Sequence, residues 1–254
     1  MIHGIFDSHA HYDDARFDED RDALLASLPE QGVCGVIDVG CDLESSRKAV
    51  ALAEKYPYIW AAVGYHPEQA ALRTDEGMAE LRRLLTHPKV VAIGEIGLDY
   101  YWPEPDHDTQ KRVLIEQLEL ARELRKPVIL HVRDASEDAL TILKSHPVKG
   151  VMHCFSGSAE TAREVLKLGL HIGFTGVLTF KNARKAPEVI RAVPMERLMI
   201  ETDAPYLTPV PYRGRRNEST YVHLVAEKIA QLRDMTPAAA EQATWDNGKR
   251  FFGI

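Results

Sequence analysis

The chain reads as a (β/α)8 barrel. Three observations carry this reading: eight short β-branched or apolar runs, seven amphipathic stretches that separate them one by one, and a length of 254 residues. Strands alternating with helices make βαβ units and therefore a parallel sheet. Eight such units in about 250 residues is barrel arithmetic, whereas a doubly wound sheet usually stops at about five to seven strands.

The strand runs fall at residues 4–7, 35–39, 59–64, 90–94, 127–131, 150–153, 171–174 and 197–201. Between them, residues 21–28, 44–55, 77–85, 107–125, 136–143, 159–168 and 187–192 place apolar residues near i, i+3 and i+4, which predicts helices with one buried face. Two further helices are expected over 221–233 and 236–250, the second opened by Thr236-Pro237, a cap followed by proline at the first helical position. The segment 204–217, rich in Pro and Arg, is irregular and follows the last strand, so it is expected over the barrel mouth. No low-complexity linker interrupts the chain, and residues 1–254 are expected to form one domain.

Composition narrows the function classes. With 45% hydrophobic and 27% charged residues the chain has ordinary globular composition. Its 31 basic and 38 acidic residues give a net charge of −7, which excludes whole-surface attraction to duplex nucleic acid; a polyanion has to be drawn in locally, by a cation or a small basic patch. No run reaches the roughly 18 apolar residues of a spanning helix, and the N-terminus lacks a basic segment followed by an apolar one, so a cytoplasmic protein with no membrane contact is expected. Cys34, Cys41 and Cys154 match no disulfide framework and are read as reduced and structural. Cys154, next to His153, is expected to face the helices because adjacent strand residues alternate sides.

The chemistry-bearing residues cluster at predicted strand ends. Asp7-Ser8-His9-Ala10-His11 closes the first strand, and residues two apart on a strand share a face, so His9 and His11 can present two imidazoles to one metal. Glu95 follows the fourth strand, His131 ends the fifth, His153 ends the sixth and Asp203 follows the eighth. In a barrel these ends converge on the face where active sites are built. Six imidazole and carboxylate ligands exceed one tetrahedral ion, so two divalent ions are expected, drawn from Zn, Mn, Mg, Ni, Co or Fe. His9, His11 and Asp203 are assigned to the first, His131 and His153 to the second, with Glu95 as the bridge.

At this point the sequence resembles the TatD family of metal-dependent hydrolases in the amidohydrolase superfamily. The resemblance rests on Asp7-Ser8-His9-Ala10-His11, Gly64-Tyr65-His66-Pro67, Gly94-Glu95-Ile96-Gly97-Leu98-Asp99-Tyr100, His131-Val132-Arg133-Asp134-Ala135, His153-Cys154-Phe155-Ser156-Gly157 and Glu201-Thr202-Asp203-Ala204-Pro205-Tyr206-Leu207, in family order over nearly the whole chain. It implies a TIM barrel of the metallo-dependent hydrolase type, a binuclear metal site, and deoxyribonuclease activity that removes nucleotides 3′ to 5′. The alternative within the resemblance is an ester or amide hydrolase such as a D-aminoacyl-tRNA deacylase.

The residues fit that chemistry. Two close cations acidify a shared water and stabilise charge on entering and leaving oxygens. Asp203 can orient that water and take its proton, with Glu95 and His66 as the other catalytic candidates. His66, Arg133, Ser156 and Arg213 are the candidates for substrate binding, the arginines because a guanidinium fork matches phosphate oxygens. Asp99 is placed to fix the tautomer of a ligating histidine, and Glu201 to face the same interior. The run Tyr212-Arg213-Gly214-Arg215-Arg216 offers a local cationic patch, and Tyr100, Tyr101 and Trp102 offer faces for an unpaired base. The expected partner is DNA or a small phosphodiester, with no obligate protein partner.

Overall fold

The computed structural model describes residues 4–254; the first three residues used in reading the N-terminus lie outside that range. Eight strands form one sheet in sequential order, each neighbouring pair parallel: β1 (Ile5–Ala10), β2 (Val33–Val39), β3 (Ile59–Val63), β4 (Val90–Asp99), β5 (Val128–Arg133), β6 (Gly150–Met152), β7 (His171–Phe174) and β8 (Leu198–Ile200). The chain closes the sheet beyond β8: the Asp203 N–H donates to the His9 carbonyl at 2.9 Å, and the His11 N–H to the Ala204 carbonyl at 2.7 Å.

Helices fill every crossover: α1 (Arg21–Ser27), α2 (Leu43–Lys55), α3 (Asp75–Leu84), α4 (His107–Leu124), α5 (Ser136–Ser145), α6 (Ala159–Lys167) and α7 (Ala186–Ala192). Side-chain oxygens of Asp42, Thr74, Asp106 and Ser158 satisfy otherwise unpaired N–H groups where α2, α3, α4 and α6 begin. Then α8 (Val222–Arg233) and α9 (Pro237–Phe252) complete the chain, and Thr236 caps α9 by accepting from the Ala239 N–H, as its Thr-Pro start predicts.

Alternation along the strands divides the apolar residues between two cores. Val36, Val63, Ile93 and Val128 pack outward against helices, whereas Ile37, Val39, Ala62, Ala92, Ile129, Val151 and Met199 face the barrel interior. Phe251 and Phe252 of α9 join that interior cluster with Phe6, so the last helix plugs the end where strands begin. Asn247 fastens it, donating to the carbonyls of Met195 and Leu198 at 2.7 Å each.

The largest departure from the sequence reading is β4, which runs to Asp99 instead of ending at Gly94. Gly97 makes this possible: its φ is +153°, and a Cβ there would run into the His131 carbonyl oxygen, so only glycine lets β4 and β5 lie this close. The β4–β5 register shifts between Ile93 and Ile96, a bulge that re-aims Glu95.

His171 at the start of β7 gives the barrel a testable acid sensitivity. Its ring meets Phe251 edge-on at 4.9 Å, Nδ1 is buried with no hydrogen-bond partner among the described residues, and burial, with Arg197, Lys149 and Arg250 nearby, pushes its pKa down to about 4. The neutral ring is favoured in the fold while the unfolded chain binds a proton near its ordinary 6.5, so stability is full above pH 6.5 and declines as pH falls toward 4. His171→Phe is expected to flatten this part of the melting-temperature profile relative to the parent, measured by circular dichroism at each pH.

Candidate active site

The strand-ending face gathers every residue of the expected metal set. His9 lies on β1 and His11 one residue beyond it, Glu95 on β4, His131 on β5, His153 just after β6, and Asp203 in the turn after β8 with φ of 58°. His9 Nε2 and His11 Nε2 stand 3.0 Å apart. They are 3.4 and 3.7 Å from Glu95 Oε2, and 3.7 and 3.4 Å from Asp203 Oδ1. The other oxygen of Glu95 serves a second group: Oε1 lies 2.9 Å from His131 Nδ1 and 2.7 Å from His153 Nε2, and those nitrogens are 3.4 Å apart. One buried carboxylate thus faces His9 and His11 with one oxygen and His131 and His153 with the other, which also lies 3.7 Å from His66 Nε2.

The surroundings fix which ring nitrogens point inward. His11 Nδ1 donates to the Val39 carbonyl at 2.7 Å, which leaves the Nε2 lone pair facing His9 and Asp203. His131 Nε2 donates to Asp99 Oδ2 at 2.9 Å, leaving Nδ1 toward Glu95, so Asp99 orients a histidine as expected and also accepts from the Tyr101 N–H. Glu201 lies under His153, with Oε1 3.5 Å from Nδ1, and accepts from the Cys154 N–H and the Ser8 hydroxyl. Gly173 makes room for that carboxylate, since a Cβ there would meet Glu201 Oε2 at 2.6 Å.

Electrostatics and geometry agree that this donor set fits divalent cations. Burial raises the pKa of Glu95, but the neighbouring imidazoles, His153 foremost, outweigh it when they carry a proton and hold the carboxylate well below its usual range. Imidazole nitrogens 3.0 Å apart either share a proton in a hydrogen bond or, with both lone pairs turned inward, need a positive charge between them. Imidazole and carboxylate donors suit Zn, Mn, Fe, Co and Ni.

His66 follows β3 and is oriented differently. Its Nδ1 accepts from the Glu68 N–H at 3.2 Å, so the proton of the neutral ring is on Nε2, which faces Glu95 Oε1 at 3.7 Å. Burial pushes its pKa down to about 3, which keeps the ring neutral.

A cavity of about 720 Å³ opens over these groups. Arg133 and Ser156 line it, whereas Arg213 does not; Arg213 lies over the Phe180 ring at 4.0 Å. The basic run is smaller than its sequence suggests, because Arg216 is paired with Asp20 at 2.6 Å and donates to the Arg16 carbonyl. Tyr100 is a wall residue: its ring stacks on His107 at 3.6 Å and its hydroxyl bonds Asp138 at 2.7 Å. Cys154 corrects the expectation that it faces the helices. β6 stops at Met152, Cys154 takes a left-handed φ of 44°, and the strand alternation no longer applies, so it lines the cavity with Sγ 3.5 Å from Thr175 Oγ1.

Asp7 escaped the sequence reading as a residue with its own task. Its carboxylate accepts from the Thr202 N–H and hydroxyl at 2.9 and 2.5 Å and from the Ser219 hydroxyl at 2.6 Å, tying β1 to the turn that carries Asp203. Tyr206, inside the last quoted motif, and Cys41, distant in sequence from all of them, also line the cavity, which only the folded loops reveal.

Comparison with known proteins agrees with the architecture. The family model described as TatD related DNase matches residues 6–253. The metal-dependent hydrolase YabD of Bacillus subtilis (strain 168) is 46% identical over 253 residues, covering 98% of this chain and 99% of its own length. A protein of Cronobacter sakazakii named 3′-5′ ssDNA/RNA exonuclease TatD is 38% identical, over 98% of this chain and 97% of its own. The crystal structure of YJJV, a TatD homologue of Escherichia coli K12, superposes with a TM-score of 0.93 at 34% identity, covering both chains fully.

Proposed function

The chain belongs to the TatD related DNase family of metal-dependent hydrolases, and from that premise we propose that it removes nucleotides from the 3′ ends of unpaired DNA with the help of two divalent cations, which Glu95 and the imidazoles around it would hold. The observation that carries the proposal is the division of Glu95, with Oε2 facing His9 and His11 and Oε1 facing His131 and His153. In this reading His9, His11 and Asp203 hold one cation, His131 and His153 the other, and Glu95 both. When bound, such a pair supplies an acidified water and stabilises charge that develops on phosphate.

The chain's own residues supply the rest. Asp203 accepts the proton of the attacking water at its carboxylate; although burial raises its pKa, His11, His153 and His9 hold it below the usual value, so it is ionised. His66 holds a proton at Nε2 and donates it as a hydrogen bond to the phosphate or the leaving oxygen. Arg133 offers its fork to non-bridging oxygens of the strand's phosphates, and Ser156 a hydroxyl from the segment after the neighbouring β6. The alternative of a small neutral ester draws no support from the cavity, because such a substrate gives the Arg133 guanidinium no anion to hold, and an aminoacyl-tRNA, which carries phosphates of its own, is separated from DNA by assay of the aminoacyl ester.

The test is a single-stranded oligonucleotide labelled at either end and incubated with Mg2+, Mn2+ or Zn2+. A ladder that shortens from the 3′ end supports the proposal, and no cleavage with any of these ions rejects it. His66 gives a second check, because a donor and a ligand lose different things. His66→Ala is expected to lower turnover by about a hundredfold while bound metal, measured by plasma mass spectrometry, stays the same. Loss of metal would make His66 a ligand.

A further inference from the structure

Among the described residues, each large apolar side chain left exposed lies on a segment following a strand, at the end of the barrel where the cavity opens. Leu72 follows β3, Tyr101 and Trp102 follow β4, and Tyr206 and Val210 follow β8. Of these, Tyr101 and Trp102 are in contact with each other and present adjoining ring faces to solvent.

Arginines at the same mouth differ in how they are held. Arg16 lies over the Tyr206 ring at 3.9 Å, but its guanidinium is given to Asp14. Arg133 lies flat over Tyr101 at 3.7 Å, and among the described residues its guanidinium makes no hydrogen bond or ion pair. A guanidinium held by a ring face keeps its in-plane N–H fork available for an anion. Tyr101 in turn meets Trp102 at 4.8 Å with the rings at 88°, and the two are 53% and 46% exposed. Because Arg133 lines the cavity, the three side chains form a row from its wall to open solvent.

We propose that Arg133, Tyr101 and Trp102 form a rail for the unpaired nucleotides lying 5′ of the scissile phosphate, Arg133 meeting a backbone phosphate and the exposed rings stacking bases. The inference rests on the strand-hydrolysis reading and adds how the strand is held. It also gives a physical cause for selecting single strands: a base inside a duplex is already stacked on its neighbours and has no free face for Trp102 or Tyr101, whereas every unpaired base has one.

The rail is tested with Trp102→Ala, Tyr101→Ala and Tyr101→Phe. Kinetics are read with Mn2+ on a single-stranded oligonucleotide and on bis(p-nitrophenyl) phosphate, a diester without bases. Binding of a fluorescent single-stranded oligonucleotide is read by anisotropy in the Asp203→Asn background. Each alanine variant is expected to raise oligonucleotide KM and Kd by roughly tenfold, selectively over KM for the small diester, while kcat holds; Tyr101→Phe restores the parent values. Equal effects on both substrates, an unmoved Kd, or absence of oligonucleotide binding by the parent would overturn the rail. If the parent cleaves the small diester but no oligonucleotide, the strand-hydrolysis reading fails separately, and the anisotropy arm still decides the rail.

Discussion

Asp203→Asn is expected to lower turnover of a single-stranded oligonucleotide by about a thousandfold while leaving the fold intact. The carboxylate stands at the open side of the site, with Oδ1 3.4 Å from His11 Nε2 and 3.7 Å from His9 Nε2. Asparagine keeps the volume and one oxygen acceptor, but its amide cannot take a proton from water at neutral pH. The backbone tolerates the change: Asp203 has φ of 58°, a left-handed conformation that asparagine adopts more readily than most residues, and its N–H bond to the His9 carbonyl involves no side-chain atom. Steady-state kinetics with a parallel melting curve checks both halves of this expectation. Parent-like turnover in a folded variant would require a different base.

Glu95→Ala should have an effect at least as large and of a different kind, because it removes a charge as well as an acceptor. The carboxylate is buried among His9, His66, His131 and His153, and those imidazoles hold it ionised against the cost of burial. Without it, no anion stands between the two imidazole pairs, and cations placed on both sides would repel one another with nothing shared to offset it. Bound metal should fall from about two ions per chain to one or fewer, and hydrolysis should be lost with it. Plasma mass spectrometry on dialysed protein reads the first outcome. Full metal occupancy would remove the bridging role of Glu95.

Much of this site was legible because its elements are local. His9 and His11 are two apart at the end of β1, and Glu95, His131, His153 and Asp203 each stand at the close of an apolar run, so chain order and barrel topology were enough to bring them together. Where the reading stopped short, the cause was a partner far away in sequence. Asp7 is bound to Thr202 and Ser219, 195 and 212 residues away, and nothing near it in sequence announces that contact. Arg216 looked free within its basic run because its partner, Asp20, is 196 residues earlier. Two errors were conformational instead. The fourth strand was ended at Gly94, yet Gly97 is what allows β4 to continue against β5. Cys154 was given the alternation of a strand that had already ended at Met152.

The roles of the surrounding groups follow from the same geometry. Asp99 and the Val39 carbonyl set ring tautomers, Glu201 supports His153, and the Asp7 network holds the turn from which Asp203 reaches inward. Strands β1, β4 and β5 carry His9, Glu95, His131 and Arg133, and the segment after β4 carries Tyr101 and Trp102, so the groups that would hold cations stand on the barrel frame while the exposed rings stand on a connection that can change without disturbing the core.

Whether Glu95 divides two cations between two imidazole pairs can be read from anomalous scattering by crystals grown with Mn2+. Two peaks per chain are expected, one among His9, His11, Asp203 and Glu95 Oε2, the other among His131, His153 and Glu95 Oε1. A single peak at full occupancy, or peaks that leave Glu95 without contact to either ion, would contradict that division.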